Sequence, residues 1–165
     1  MSRTFEAKIN YAAPPAVVHG VLTNTEFWHW VFKDSEHGSV ETRSDAPGTI
    51  SATMTNKVGG DALPGLVRKV VKGDLVLVNT DTWTTFDGQR ANGTFSGRSS
   101  KGMGGIDGTF VLHADGDGTV IHAKGAAEVK VRIVGGAIER LVEQMMGNMF
   151  DGQRKYVEKW LAEQT

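Results

Sequence analysis

Residues 3 to 11 alternate, with Phe5, Ala7, Ile9 and Tyr11 to one side and Glu6, Lys8 and Asn10 to the other, which predicts a half-buried strand. Ala12-Ala13-Pro14-Pro15 ends it, and a proline suits a helix start because its missing N–H would find no partner there anyway. Val17, Val18, Val21 and Leu22 then predict a short amphipathic helix, and Asn24 or Thr25 can cap a second one over Glu26–Lys33. That second helix carries Phe27, Trp28, Trp30 and Phe32 on every side, so it is pressed into a groove or forms a wall of a pocket.

From residue 35 to 133 short apolar runs are broken by turn residues, predicting strands over 38–43, 49–58, 74–86, 92–99, 105–113 and 119–133. Asp87-Gly88 and Asp115-Gly116-Asp117-Gly118 are hairpin signals, because glycine supplies the positive φ that tight primed turns require. The segment 59–71, with Leu63, Leu66, Val67 and Val70, is too apolar for an ordinary loop and reads as a flap or short helix over the sheet edge. The tail runs from Ala137 to Leu161 without a proline. Ile138, Leu141, Val142, Met145, Met149, Tyr156, Trp160 and Leu161 recur on it at helical spacing. Gly147 and Gly152 interrupt that helix and mark a bend or the approach of a neighbour.

Strand, two short helices, about six more antiparallel strands and one long helix make an α+β domain spanning 1–165. A sheet of about seven strands must twist and curl, and an amphipathic helix laid across its concave face gives each the burial it lacks. Small residues at Gly97, Gly108, Ala123, Gly125 and Ala127 face inward and leave a gap beneath the helix.

Composition narrows the function. Over 165 residues the formal net charge is -1, so the chain lacks the basic footprint of a nucleic-acid binder. The absence of cysteine excludes disulfides, thiolate nucleophiles and cysteine metal sites. With no leader pattern at the start and no apolar run of membrane-spanning length, the expectation is a cytoplasmic chain without an integral membrane segment. The five histidines have no metal-ligand spacing, so neither a metal nor another cofactor is expected. Residues 115–118 begin like a calcium loop, but the sixth and twelfth positions are Val120 and Ala126 rather than glycine and glutamate. The glycines of 97–105 lack the G-K-[ST] ending of a phosphate loop.

The candidate cavity wall is Met54, Leu77, Trp83, Phe95 and Phe110 from the strands with Leu141, Met145 and Met149 from the long helix. Each could equally be plain core, but flexible methionines opposite small residues suit a space that accepts varied apolar ligands. Candidate polar contacts are Asn79 and Asp81, on the Trp83 side if alternation holds, and Arg68 at an entrance. No catalytic residue is assigned. His29, among the tryptophans, and Asp81 are the only acid–base candidates, and few ionisable groups are expected to point inward.

Pro14-Pro15, Leu63-Pro64-Gly65-Leu66-Val67, Gly73-Asp74-Leu75, Thr82-Trp83, Gly108-Thr109-Phe110 and the junction from Val129 to Glu139 carry a family likeness. In element order and in these residues the whole chain resembles the helix-grip superfamily of START domains, birch-pollen-allergen-like proteins and polyketide cyclases. It is most similar there to a mainly actinobacterial family of unknown function. The resemblance implies a START-like domain with a hydrophobic cavity for the binding, and the transport or sequestration, of a lipid- or polyketide-like small molecule. It carries over no catalytic residues. Two alternatives stand beside it: a polyketide cyclase/dehydratase-like enzyme, and a protein-interaction module whose aromatic helix and apolar insert meet a partner. Monomer and homodimer remain equally open.

Overall fold

The computed structural model describes residues 2–62, 65–68, 72–102, 104–130 and 135–164. Strand β1 (Ser2–Tyr11) leads into helices α1 (Pro15–Leu22) and α2 (Thr25–Phe32). Strands β2 (Gly38–Arg43) and β3 (Ile50–Val58) follow, then a single 3-10 turn and the four-residue helix α3 (Gly65–Arg68). Strands β4 (Leu75–Trp83), β5 (Arg90–Ser99), β6 (Gly104–Asp115) and β7 (Gly118–Val129) precede the closing helix α4 (Gly135–Glu163). The seven strands form one curved antiparallel sheet in the order β1-β7-β6-β5-β4-β3-β2, and α4 lies across its concave face, packed on β1 and β7. This is the helix-grip architecture.

The local chemistry explains the boundaries. Pro14 caps α1 with Pro15 in its first turn, and the Asn24 side chain accepts a 2.9 Å bond from the Glu26 N–H at the start of α2. Asp115 pairs with Gly118 across a two-residue turn in which Gly116 takes φ 59°, so the false calcium loop is a hairpin. At the other Asp-Gly, the Asp87 carboxylate accepts from the N–H groups of Gln89 and Arg90 while Gly88 takes φ 97°.

Some expectations move. β4 stops at Trp83 rather than 86. β7 ends at Val129, and residues 131–133 of the strand expected to reach 133 lie outside the described residues. The insert is a turn and α3, with Leu63, Pro64, Val70 and Val71 outside the described residues. Neither Gly147 nor Gly152 admits a neighbour, since a Cβ at either would meet nothing within 4 Å, and α4 runs through both as one helix.

The largest change concerns the small residues at the centre of the sheet. A Cβ on Gly108 would stand 2.2 Å from Phe95 Cζ, and one on Gly125 would stand 2.8 Å from the same atom. These glycines are the seat of the Phe95 ring and leave no empty gap there. Phe95 meets Phe110 at 4.8 Å, Phe5 at 6.0 Å and Phe150 of α4 at 5.5 Å between ring centroids, and Trp83 stacks on Phe110 at 5.2 Å. Such offset and edge-on pairs add to burial because the electron-rich face of one ring meets the positive edge of the next. Phe27, Trp28, Leu22, Leu112 and Val157 complete this core with essentially no exposure.

Candidate functional site

Ladder register settles which side chains share the concave wall, because directly paired residues in an antiparallel sheet point the same way. Across the strands Ala52, Asp81, Phe95, Gly108 and Gly125 form one row. Met54, Asn79, Gly97, Ile106 and Ala127 form the next, and Asn56 and Leu77 begin a third. No bulge breaks β4 from Leu75 to Trp83, so Leu77, Asn79, Asp81 and Trp83 all face inward. Met54, Trp83, Phe95 and Phe110 are buried, and Leu77 is half-buried.

Asp81 is the unusual member of that wall. It is 2 % exposed, among residues otherwise largely apolar. Its Oδ2 accepts from Gln153 Nε2 on α4 at 3.3 Å, a long bond, while Oδ1 is buried without a hydrogen-bond partner among the described residues. Burial pushes the carboxyl up to about 7, and the Gln153 bond pulls only weakly the other way. The charged form has lost its water and gained one neutral amide in return. Tyr11 of β1 is raised as well, first by burial, with Arg154 opposing and the charges of Glu158 and Asp81 reinforcing. A buried carboxyl, a buried phenol and a guanidinium therefore lie within electrostatic reach of one another at the β1, β4 and α4 junction. One position along β4, Asn79 Nδ2 donates to the Met149 sulfur at 3.8 Å, a weak acceptor for an amide.

The helix presents a stripe that differs in part from the expected one. Among the described residues of α4, Met146, Phe150 and Val157 are buried, with Trp160 and Leu161 packed against the core as expected, while the side chains of Ile138 and Val142 lie outside the described residues. Met145, expected inward, is 41 % exposed, and Tyr156 is 45 % exposed. One residue turns a helix by about 100°, so Met145 stands on the flank beside the buried Met146, and the expected stripe strays outward at Met145 and Tyr156. Leu141 and Met149 remain half-buried on that flank. Arg68 is exposed, in a polar surface hollow of about 410 Å³ shared with Asp61, Lys72 and Asp74, and none of the described residues lining that hollow belongs to the concave wall. Sequence reasoning passed over Gln153 and Phe150. Their signal was present, since Met146, Met149, Phe150, Gln153 and Val157 keep three-and-four spacing, and a glutamine within such a stripe marks a polar contact in the interior.

The histidines stay apart from Asp81. His29 is exposed with its Nε2 3.2 Å from Thr42 Oγ1, and Thr42 stands two strands from Asp81 in the same row. At 4.8 Å per strand that separation is roughly 10 Å. His19 is buried, its Nε2 2.8 Å from the Thr84 carbonyl oxygen. Among the described residues no three His, Asp or Glu side chains gather as metal ligands, and no helix is long and apolar enough to cross a membrane.

Comparison with known proteins agrees with this architecture. An uncharacterized protein of Mycobacterium tuberculosis (strain ATCC 25618 / H37Rv) is 22% identical over 171 residues, covering 98% of each chain. The structure of a START superfamily protein from Mycobacterium smegmatis superposes with a TM-score of 0.57 at 11% identity, covering 95% of this chain and 98% of the other. The Zhui aromatase/cyclase from Streptomyces sp. R1128 gives 0.58 at 12% identity, covering 96% and 93%. These structural likenesses establish the fold. The family model described as Protein of unknown function (DUF2505) matches residues 6–161, and the chain belongs to that family.

Proposed function

We propose that this protein binds an apolar small molecule carrying one hydrogen-bonding group, lipid- or polyketide-like, between α4 and the β3–β4 side of the concave face. The unpartnered Oδ1 of Asp81 carries the reading. A buried, unsatisfied polar atom costs about 1–3 kcal/mol, and a ligand hydroxyl or carbonyl placed against the carboxyl removes that cost. Met54, Leu77 and Asn79 form the wall on the sheet side, with Leu141, Met149 and the exposed flank at Met145 opposite. Trp83, Phe95 and Phe110 make a solid floor rather than part of the space. Burying about 300 Å² of apolar ligand surface at ~25 cal/mol per Å² yields roughly 7 kcal/mol before the losses on association. Micromolar binding therefore needs the polar contact. The shared fold of START and aromatase/cyclase proteins supports the same reading.

The decisive experiment is native mass spectrometry of freshly purified protein, followed by a thermal-shift screen of apolar compounds with and without a hydroxyl or carbonyl. A retained mass or a stabilised melt, weakened by Asp81→Leu, is expected; at one hundred times Kd the stabilisation is about 2.7 kcal/mol. Equal binding by Asp81→Leu removes the carboxyl from the site, and no binding by any compound removes the site.

The second reading, a cyclase/dehydratase-like enzyme, draws on the same carboxyl, since a group poised near 7 both gives and takes protons at neutral pH. His29, roughly two strand spacings away, does not reach the same reacting atom. The binding reading is preferred because it asks for one polar group and one is in place. A partner-docking role for α2 is weakened by its packing: Phe27 and Trp28 are buried, and the Trp28 indole donates to the Leu22 carbonyl at 2.8 Å.

A further inference from the structure

A second hollow of about 530 Å³ opens at the surface between the end of α2, β3 and the last turns of α4. Trp30 forms its aromatic wall. The indole is fixed from three sides, by Trp160 at 5.4 Å, Tyr156 at 6.1 Å and Phe27 at 6.2 Å between centroids. Two cations, Lys33 Nζ at 5.6 Å and Lys159 Nζ at 5.8 Å, stand over the same ring. Neither lysine enters an ion pair among the described residues. Among the described residues Asp34 is the single acid lining the hollow, so two positive charges face one negative. Asn56 adds an amide from the concave side of β3, next to Leu77.

Held rigidly by its neighbours, an indole face offers a stacking surface at little entropic cost. Lysines resting on it are placed for an anion, which they meet without breaking an existing salt bridge. We infer that this hollow is a binding site for a small amphipathic anion, a flat apolar body stacked on Trp30 and bounded by the perpendicular Tyr156 ring, with one carboxylate, sulfonate or phosphate held by Lys33 and Lys159. It shares no side chain with the Asp81 site and stands whether or not that reading does.

The charge requirement is testable with two dyes of nearly one shape, 8-anilinonaphthalene-1-sulfonate and its uncharged counterpart N-phenyl-1-naphthylamine. Fluorescence titration of the full chain should show saturable binding of the sulfonate. Lys33→Gln/Lys159→Gln, both at exposed positions, should weaken it at least tenfold while leaving the neutral dye's affinity unchanged. Tyr156→Ala should weaken both dyes. Absence of sulfonate binding, or affinity in the lysine double variant within twofold of the parent, would overturn the proposal. So would an equal loss for both dyes on removing the lysines, which would make the side chains packing elements rather than an anion site.

Discussion

Two parts of one concave wall solve the burial problem in opposite ways. Under α4 the rings of Phe5, Trp83, Phe95, Phe110 and Phe150 pack on one another, with Phe95 seated in the space that Gly108 and Gly125 clear. On β4, among the described residues, Asn79 has only a thioether to donate to, and Asp81 has one long amide bond and one oxygen without a partner. The first region is built for stability. The second spends stability, and in an otherwise well-packed fold such a local conflict points to function.

The contrast is sharpest in mutants of opposite sign. Phe95→Ala should cost about 3–5 kcal/mol, because it empties the volume that three other rings and two glycines enclose. Urea unfolding measures it, and a loss below about 1 kcal/mol would mean the aromatic region is not closely packed. Asp81→Leu should instead stabilise the ligand-free protein by about 1–3 kcal/mol, since it replaces an orphaned polar group with an apolar one of similar size.

The sign of the pH dependence follows from the same group. Folding raises the Asp81 carboxyl from 3.8 to about 7, so between those values the native state holds more protons than the unfolded chain. Its contribution is therefore fully present below about 4 and is lost as pH rises through about 7. At about 1.4 kcal/mol per pKa unit the full span amounts to roughly 4 kcal/mol. Unfolding measured at pH 5 and pH 8 should show the parent losing stability relative to Asp81→Leu at the higher value. Parallel curves would place the carboxyl in a wetter site than its burial indicates. A smaller effect tests the aromatic seat directly: Gly108→Ala should cost about 1–3 kcal/mol by overpacking, because Phe95 and the Lys124 carbonyl both stand in the way of the new methyl.

Most of the architecture was legible because it is written in periods. Strand alternation from Phe5 to Tyr11, the Asp-Gly turns and the long tail each specify their element locally, and an unbroken β4 put Leu77, Asn79, Asp81 and Trp83 on one face as alternation required. What failed was phase and filling. Adjacent Met145 and Met146 both fit a helical stripe, and only the rings beneath, which come from strands distant in sequence, select Met146 and Phe150. Glycine in a strand signals room without saying who occupies it; at Gly108 and Gly125 the occupant is Phe95. The orphaned oxygen of Asp81 was invisible for the same reason, since a missing partner belongs to no segment of the chain.

The smallest effects separate the two faces of α4. Gly147 and Gly152 each sit inside the helix with nothing within 4 Å of an added Cβ, so alanine at either should gain up to about 1 kcal/mol of helix propensity. In a chain of this length that is a rise of about 2–4 °C in Tm. Their surroundings differ, however. Gly147 is exposed, whereas Gly152 is half-buried, three residues after Met149 and four before Tyr156, on the flank beside the proposed ligand space. Gly147→Ala should leave binding untouched. Gly152→Ala should raise the melting point of the free protein as much while weakening ligand uptake, because its methyl would occupy volume the ligand needs. Equal gains in Tm with unchanged uptake in both variants would move the ligand away from this flank of the helix.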